Sequence, residues 1–273
     1  MKISLKNIGK IKDASVEIAG ITVIGGENGT GKSTVGKALF ALYNSQYNID
    51  NKIKNDRIQS IINFVKSNFF TSNSKFNLSN NLLFQFAEKL VEKIDYFSKS
   101  DELIKQELLN IIAKASVQEN TKNIISSKSE LYSNIDLVVA QLRSILLVSD
   151  NEIIESFLQK YFNSEFRGQT ANINDDEYAD IKLQIDDSVT TVRFNYNWVM
   201  DFTNIRTLSN EVIYIDDPYM LDLFEFNKTD NDELNNFHRF HLISKFKEMD
   251  SKEKTAIEEI MLDKKLDNFK KNY

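Results

Sequence analysis

Eight consecutive residues near the start of the chain form a pattern that could bind phosphate. Residues 26–33 read Gly-Glu-Asn-Gly-Thr-Gly-Lys-Ser and match G-x-x-x-x-G-K-[S/T] without a gap. Glycines let successive backbone N–H groups approach phosphate oxygens closely, and the N-terminus of a following helix adds partial positive charge. In this pattern the lysine contacts the β- and γ-phosphates, and the next hydroxyl ligates Mg²⁺. We therefore expect a nucleoside triphosphate site with Lys32 as a catalytic residue and Ser33 as a metal ligand. Its nucleotide-binding candidates are Gly26, Glu27, Asn28, Gly29, Thr30, Gly31, Lys32, Ser33 and Thr34.

The residues on either side of this loop have the pattern of a strand and a helix, which is the context a phosphate loop requires. Ile21-Thr22-Val23-Ile24 is nearly continuous in apolar residues, which predicts a strand buried on both faces. After the loop, Val35, Leu39 and Leu42 recur at helical spacing, which predicts a helix over residues 32–43. A dinucleotide-binding loop would require a third glycine that this stretch lacks. The flanking patterns therefore favour a nucleoside triphosphate over a dinucleotide.

Composition limits the class of protein. Of 273 residues, 34 are Lys or Arg and 40 are Asp or Glu, so the formal net charge is −6. This balance disfavours a protein that coats DNA by neutralising its phosphates. The absence of cysteine excludes disulfides, thiolate catalysis and cysteine-ligated metals. No apolar run approaches the ~18 residues of a membrane span, and the first residues lack a signal-peptide core. We therefore expect a cytoplasmic protein with no membrane segment.

The distribution of glycine and proline separates a strand-rich start from a mostly helical remainder. Seven of the eight glycines lie at or before Gly36, and the single proline is Pro218. Alternating apolar residues predict strands at 2–6 and 14–18. Residues 44–163 carry several apolar stripes at helical spacing, which predict a packed helical insertion.

After the predicted insertion the hydrophobic period changes back to that of strands. Residues 181–194 alternate on either side of Asp186-Asp187-Ser188, which predicts a hairpin. Val212–Ile215 is a second continuous apolar run, which predicts a central strand that ends at Asp216-Asp217. The sequence thus predicts an α/β protein divided into residues 1–43, 44–163 and 164–273.

The N-terminal features together resemble the N-terminal lobe of the ABC/SMC/RecF-type P-loop ATPases. Among them, the chain is most similar to the bacterial AAA-domain ATPases related to the overcoming-lysogenization family. The resemblance is carried by strand, turn and strand followed by residues 21–34, and it extends more weakly to the hairpin and residues 214–218. It implies a P-loop NTPase fold, the N-lobe of an ABC-type head, with ATP and Mg²⁺ as ligands. In that family a C-lobe carries the signature loop, the Walker B acids and a switch histidine, and two heads enclose ATP between them.

The acidic pair Asp216-Asp217 supports two interpretations within this resemblance. As a Walker B pair, Asp216 would hold Mg²⁺ through water, and Asp217 would be catalytic and orient the attacking water. The family, however, has a Leu-Ser-Gly-Gly signature well upstream, whereas Leu208-Ser209-Asn210 adjoins the strand and lacks both glycines. The alternative places the strand at the Q-loop position, because a hairpin precedes it. We favour this alternative, in which the signature, Walker B and switch histidine are missing; Gln169 is another Q-loop candidate.

Three functions are compatible with these features. The leading one is an ATPase head that couples ATP-dependent association to DNA or to a partner effector, in genome maintenance or phage defence. The second is a nucleotide-binding half-domain that does not hydrolyse ATP alone and acts through a homodimer or a partner chain that supplies the C-lobe. A small-molecule P-loop kinase is a weaker alternative, since such kinases use an arginine-rich lid and arginines are few here.

Overall fold

The computed structural model describes residues 1–69, 79–118, 135–172, 178–210, 212, 214 and 255–261. The chain falls into two compact units, Met1–Ile49 with Ile154–Glu253 and Asp50–Ile153 with Lys254–Tyr273. The predicted insertion, residues 44–163, overlaps the second unit but extends beyond it at both ends, and the predicted third part, residues 164–273, is divided between the two units. Within the described ranges, no helix has the length and apolar character needed to cross a membrane.

The first unit contains an antiparallel sheet, which in the described residues has five strands in the order β2-β1-β3-β4-β5. The predictions of two N-terminal strands and a later hairpin are confirmed. Asp186, with a φ of 53°, turns the chain between the hairpin strands. The strands are β1 (Lys2–Ile8), β2 (Ile11–Glu17), β3 (Ala179–Ile185), β4 (Ser188–Asn195) and β5 (Trp198–Thr203).

One row of side chains across the outer face of this sheet alternates in charge on all five strands. Neighbouring register positions hold Asp13, Lys6, Asp180, Arg193 and Asp201. Arg193 Nε donates to Asp180 Oδ1 at 2.9 Å. This hydrogen bond and the adjacent carboxylate charge raise the pKa of the Arg193 guanidinium. Opposite charges on facing positions stabilise the register, and they leave the other face of the sheet for the core.

Helices follow the predicted pattern in both units. Their bounds are α1 (Lys32–Gln46), α2 (Ile49–Phe69), α3 (Asn80–Glu92), α4 (Ile94–Phe97), α5 (Asp101–Gln118), α6 (Ile135–Leu147) and α7 (Asp150–Phe166). The chain is therefore a mixed α/β protein, as predicted from the sequence. The P-loop NTPase fold is a finer statement that the strands and helices alone do not establish.

The core of the first unit lies between the inner face of the sheet and two helices. Phe162, near the end of α7, packs edge-on against Phe194 of β4 with ring centroids 4.7 Å apart. From α1, the buried side chains include those of Val35, Ala38 and Leu42. Because the apolar side chains that α1 buries extend from Val35 to Leu42, their burial fixes this part of the helix against the sheet. The start of α1, where the phosphate loop ends, is thereby positioned.

The predicted strand at Ile21–Ile24 is wrong for this structure. These residues form no strand, and Ile21, Val23 and Ile24 are 93%, 86% and 42% exposed. A strand that is apolar on both faces requires paired neighbours and a layer on each side. Among the described residues, β2 pairs with β1 alone, and no strand pairs with this segment. The apolar side chains of this run are therefore present, but the described residues supply no strand or helix layer that buries them.

The apolar stripes predicted for the insertion are confirmed in the described helices of the second unit. Each of α2, α3, α6 and the first turn of α7 buries its stripe, and α5 contacts both α3 and α6. The buried members of these stripes include Ile58, Ile61, Ile62, Val65, Leu83, Phe86, Leu90, Val138, Val139, Leu142, Leu146 and Ile153. The helical pattern of the sequence therefore corresponds to buried faces in this unit.

The C-terminal helical segment, residues 256–261, joins the second unit through its N-terminal end. The Asp56 carboxylate accepts from the backbone N–H groups of Ala256 at 2.9 Å and Ile257 at 3.1 Å. Thr255 and Glu258 form a capping box at the same end. Carboxylates at a helix N-terminus satisfy its free N–H groups and oppose its dipole. Asp56 is 200 residues away in sequence, so hydrophobic patterning did not reveal this contact.

Arg57 is the buried cation of the second unit. Its side chain is 5% exposed, and one guanidinium nitrogen donates to Asp150 Oδ1 at 2.6 Å. The other donates to the carbonyls of Ile145 at 3.4 Å and Leu146 at 3.3 Å, which lie at the C-terminal end of α6. The guanidinium thus joins the end of α6 to the first turn of α7.

We expect Arg57→Ala to lower the free energy of unfolding by about 2 kcal/mol, because it removes charge-assisted hydrogen bonds from a buried position. Arg143→Ala is the matched control, since that exposed arginine also bonds one carboxylate and one carbonyl, those of Asp101 and Ser98. Its expected effect is below about 1 kcal/mol. Urea unfolding measures the free energy of unfolding of both variants. An equal decrease in the two variants would contradict the role given to Arg57.

Candidate functional site

The predicted phosphate loop is an exposed turn that leads directly into α1. Three of its glycines, Gly26, Gly29 and Gly31, have φ values of 154°, 81° and 92°. Gly31 is the N-cap of α1, and Lys32 is the first helical residue. Positive φ angles at these three positions let the backbone curl back on itself, which residues with a Cβ rarely allow. The glycine spacing of the motif is therefore used as the sequence predicts.

The loop wraps around the ammonium group of Lys32. Lys32 Nζ donates to the carbonyl oxygen of Gly26 at 2.7 Å and to that of Glu27 at 2.5 Å. Thr30 Oγ1 donates to the same Glu27 carbonyl at 2.9 Å and closes the turn. The lysine is thus held at the centre of the loop by acceptors that a phosphate oxygen could replace. Ser33 follows it and is exposed at the first turn of α1.

The electrostatic character of this helix end is positive. The first turn of α1 contains no acidic residue, so the partial charge of its free N–H groups is not neutralised within the helix. Lys10, from the turn between β1 and β2, has its Nζ 3.9 Å from the position that a Cβ on Gly29 would occupy. Two ammonium groups and a helix N-terminus therefore converge on the loop, an arrangement that favours a polyanion.

The turn between β1 and β2 holds the loop in place by close contact. A Cβ built on Gly31 would lie 2.8 Å from Ile11 Cγ1, so only glycine fits between the helix start and the sheet. The Gly9 backbone lies against Thr34, whose Cγ2 is 3.5 Å from the equivalent Cβ position on Gly9. These contacts fix where α1 begins relative to the first hairpin.

A second segment of the chain follows α1 from its C-terminal end back toward the loop. Leu208 donates to the carbonyl of Gln46 at 3.1 Å, and Asn48 donates to the carbonyl of Leu208 at 2.9 Å. Six residues later Tyr214 packs against the other half of α1, with its ring centroid 5.8 Å from that of Phe40 and its Cε2 3.0 Å from a Cβ position on Gly36. The segment therefore runs antiparallel to α1.

Of the predicted acidic residues, Asp216 and Asp217 lie outside the described part of the chain. In the preceding run, Val212 and Tyr214 are described, half-buried and not part of a strand. Gln169 is exposed just after α7, where its backbone N–H donates to the carbonyl of Phe166. The structure thus brings together the loop residues 26–34, whereas the predicted acidic pair lies outside the part of the chain that it describes.

Sequence reasoning did not identify Lys10 or Ile11 as part of this site. Lys10 had the appearance of an ordinary turn lysine, and Ile11 that of a strand residue. The signal available in the sequence was the glycine at position 9. It indicates a tight turn, but it does not indicate which part of the chain that turn contacts. Their proximity to the loop depends on how β1 and β2 pack against α1.

The chain was compared with protein-family models, with curated proteins and with solved structures. No family model, no curated protein and no solved structure matches it.

Replacing Gly31 by alanine tests the close contact at the start of α1. We expect Gly31→Ala to unfold at lower urea than the wild type, since it adds about 1–2 kcal/mol of left-handed strain and a clash with Ile11. Gly20→Ala is the control, because Gly20 has a φ of 61° and nothing within 4 Å of its Cβ position. It carries the strain without the clash. Equal unfolding midpoints for the two variants would contradict the steric role of Gly31.

Proposed function

We propose that this chain binds ATP with Mg²⁺ through the loop at residues 26–34 and is the N-lobe of an ABC/SMC-type ATPase head. The observation that carries the proposal is the enclosure of Lys32 by the Gly26 and Glu27 carbonyls at the N-terminus of α1. A cation held in a glycine loop at a helix start suits phosphate better than any other common ligand. The fold is compatible with this proposal, since the loop precedes a helix packed on a sheet.

The proposed roles follow from the chemistry of each group. Backbone N–H groups of the loop and the start of α1 would bind phosphate oxygens, and Lys32 would contact the β- and γ-phosphates. Ser33 would ligate Mg²⁺ through its hydroxyl, and Lys10 would add a second positive charge beside Gly29. In the Walker B interpretation, Asp216 would hold Mg²⁺ through water and Asp217 would orient the attacking water.

Both interpretations of the acidic pair, Walker B and Q-loop, require it to lie near the loop. The described residue nearest to it in sequence is Tyr214, whose ring packs against Phe40 of α1.

A second candidate, the nucleotide-binding half-domain completed by another chain, is favoured by the exposure of Ile21 and Val23. Large apolar side chains in an otherwise regular apolar run are rarely left in water unless another surface covers them. A homodimer or a partner chain would supply that surface together with the C-lobe elements. For the ATPase head, the first candidate, DNA or an effector protein would be the partner to which ATP-dependent association is coupled.

Nucleotide binding is tested by thermal unfolding with ATP and Mg²⁺. We expect the ligand to raise the wild-type Tm, because binding to the folded state alone stabilises it. Lys32→Ala is expected to abolish the rise, and Lys10→Met to weaken binding about tenfold through loss of one charge-assisted contact. Lys12→Met, which removes the same charge from β2, is the control. Titration calorimetry showing equal affinity for wild type and Lys32→Ala would overturn the site.

Hydrolysis separates the two candidates. Phosphoryl transfer depends on positioning and charge stabilisation, so a chain without signature and Walker B elements should release phosphate near the background rate. We expect this result for residues 1–273, for both the wild type and Asp217→Asn, with ATP still bound. Robust wild-type turnover that collapses in Asp217→Asn would instead support a self-sufficient ATPase and exclude the half-domain.

A further inference from the structure

The phosphate loop contains the one Asn-Gly dipeptide of the whole sequence. Each of the other seven glycines follows a residue other than asparagine. Asn28 and Gly29 are both exposed and lie in the turn that precedes α1. Asparagine followed by glycine is the pair most prone to cyclise, because glycine places no side chain over its own backbone nitrogen. The chemistry of this pair is independent of its role in binding phosphate.

Little surrounds Gly29 on the side where a side chain would lie. Its φ is 81°, and among the described residues outside its chain neighbours only Lys10 Nζ lies within 4 Å of its Cβ position. Asn28 and Gly29 belong to no helix or strand, and the hydrogen bond that closes the turn joins Thr30 to Glu27 on either side of them. The pair therefore has room to bring the Gly29 nitrogen to the Asn28 side-chain carbonyl.

The charges that favour phosphate also favour this reaction. Cyclisation begins when the Gly29 N–H loses its proton, and a nearby positive charge stabilises the resulting anion. Lys10 Nζ lies beside Gly29, and Lys32 Nζ is held by the carbonyls of Gly26 and Glu27 on the other side of the turn. The N-terminus of α1 adds to the same field.

From these observations we propose that Asn28 is a deamidation site, and that bound nucleotide protects it. The deprotonated Gly29 nitrogen attacks Asn28 Cγ, the C–NH₂ bond breaks, and the amide leaves as ammonia with the released proton. The cyclic imide that forms then takes up one water. Opening at Cγ gives aspartate, and opening at the backbone carbonyl gives isoaspartate, whose main chain is longer by one methylene group. No oxidant or reductant is required.

The product inactivates the site. Either opening places a carboxylate within the phosphate loop, where it repels a polyphosphate and pairs with the ammonium groups that would bind one. Bound nucleotide engages the loop N–H groups and holds the turn, so the reaction proceeds from the free protein alone. The protection rests on the proposed nucleotide binding, whereas the deamidation itself does not.

Peptide mass spectrometry after incubation at mildly alkaline pH measures the reaction directly. We expect Asn28 to deamidate much faster than Asn163, which is also exposed and precedes a small residue, Ser164, but lies within α7. Excess ATP with Mg²⁺ should slow the wild type about tenfold or more, in proportion to the fraction of free protein. It should leave the rate in Lys32→Ala unchanged. Asn28→Asp should lose the ATP-dependent rise in Tm from the start.

Asn28→Gln is the matched variant for the chemistry, since it keeps the amide but requires a larger ring. Mass spectrometry should show no conversion at position 28 of this variant, whereas the wild-type response to ATP should decline in step with conversion of Asn28. A nucleotide-free rate at Asn28 no faster than at Asn163 would overturn the deamidation site. Unchanged deamidation in the presence of ATP, when the Tm shift shows ATP bound, would overturn the protection. Absence of any ATP-dependent Tm shift would overturn the proposed function. The deamidation rates at Asn28 and Asn163 without nucleotide would still show whether Asn28 is a deamidation site.

Discussion

The contact between the start of α1 and the first hairpin is the constraint on which the candidate site depends. Gly31 fits against Ile11 because it has no side chain, and its left-handed backbone starts the helix at that point. The burial of Val35, Ala38 and Leu42 holds the rest of α1 on the sheet. Together these contacts hold the free N–H groups of the helix end next to the loop that encloses Lys32. An anion site benefits from this fixed placement, because donors that already point at the ligand lose little conformational entropy when it binds.

The same helix is held at its other end by polar contacts. Gln46 is buried, and its side-chain oxygen accepts from Thr190 Oγ1 at 3.1 Å, while its backbone carbonyl accepts from Leu208. A buried amide with satisfied hydrogen bonds restricts the relative positions of the elements around it more than apolar packing would. Gln46 therefore links α1, β4 and the segment that runs back toward the loop, and it directs that segment along the helix.

The exposed run at Ile21–Ile24 and the enclosed Lys32 lie close together in the chain, on either side of the glycine loop. The loop has local interactions that close it, namely the Lys32 and Thr30 hydrogen bonds to backbone carbonyls. Among the described residues, no strand pairs with the run before it. The turn at residues 26–33 therefore forms while the apolar run before it stays exposed.

Local patterns in the sequence determined much of this protein. Alternation predicted β1, β2 and the hairpin of β3 and β4, and helical spacing predicted the stripes of α1, α2, α3 and α6 that the structure buries. Glycine spacing predicted the turn at residues 26–33. Each of these features depends on residues close together in the chain, so a local period or dihedral preference is enough to reveal it.

Tertiary structure alone decided which of those apolar patterns are buried against another strand or helix. Ile21–Ile24 has the composition of a buried strand, but burial requires a neighbouring layer, and composition cannot supply one. Lys10, Asp56 and Arg57 have their roles through contacts with residues far along the chain, which no local period records. The sequence thus determined the helical stripes, four of the five described strands and the glycine turn before α1. The packing of distant segments decided which side chains surround it, because only packing fixes distances between residues that are far apart in sequence.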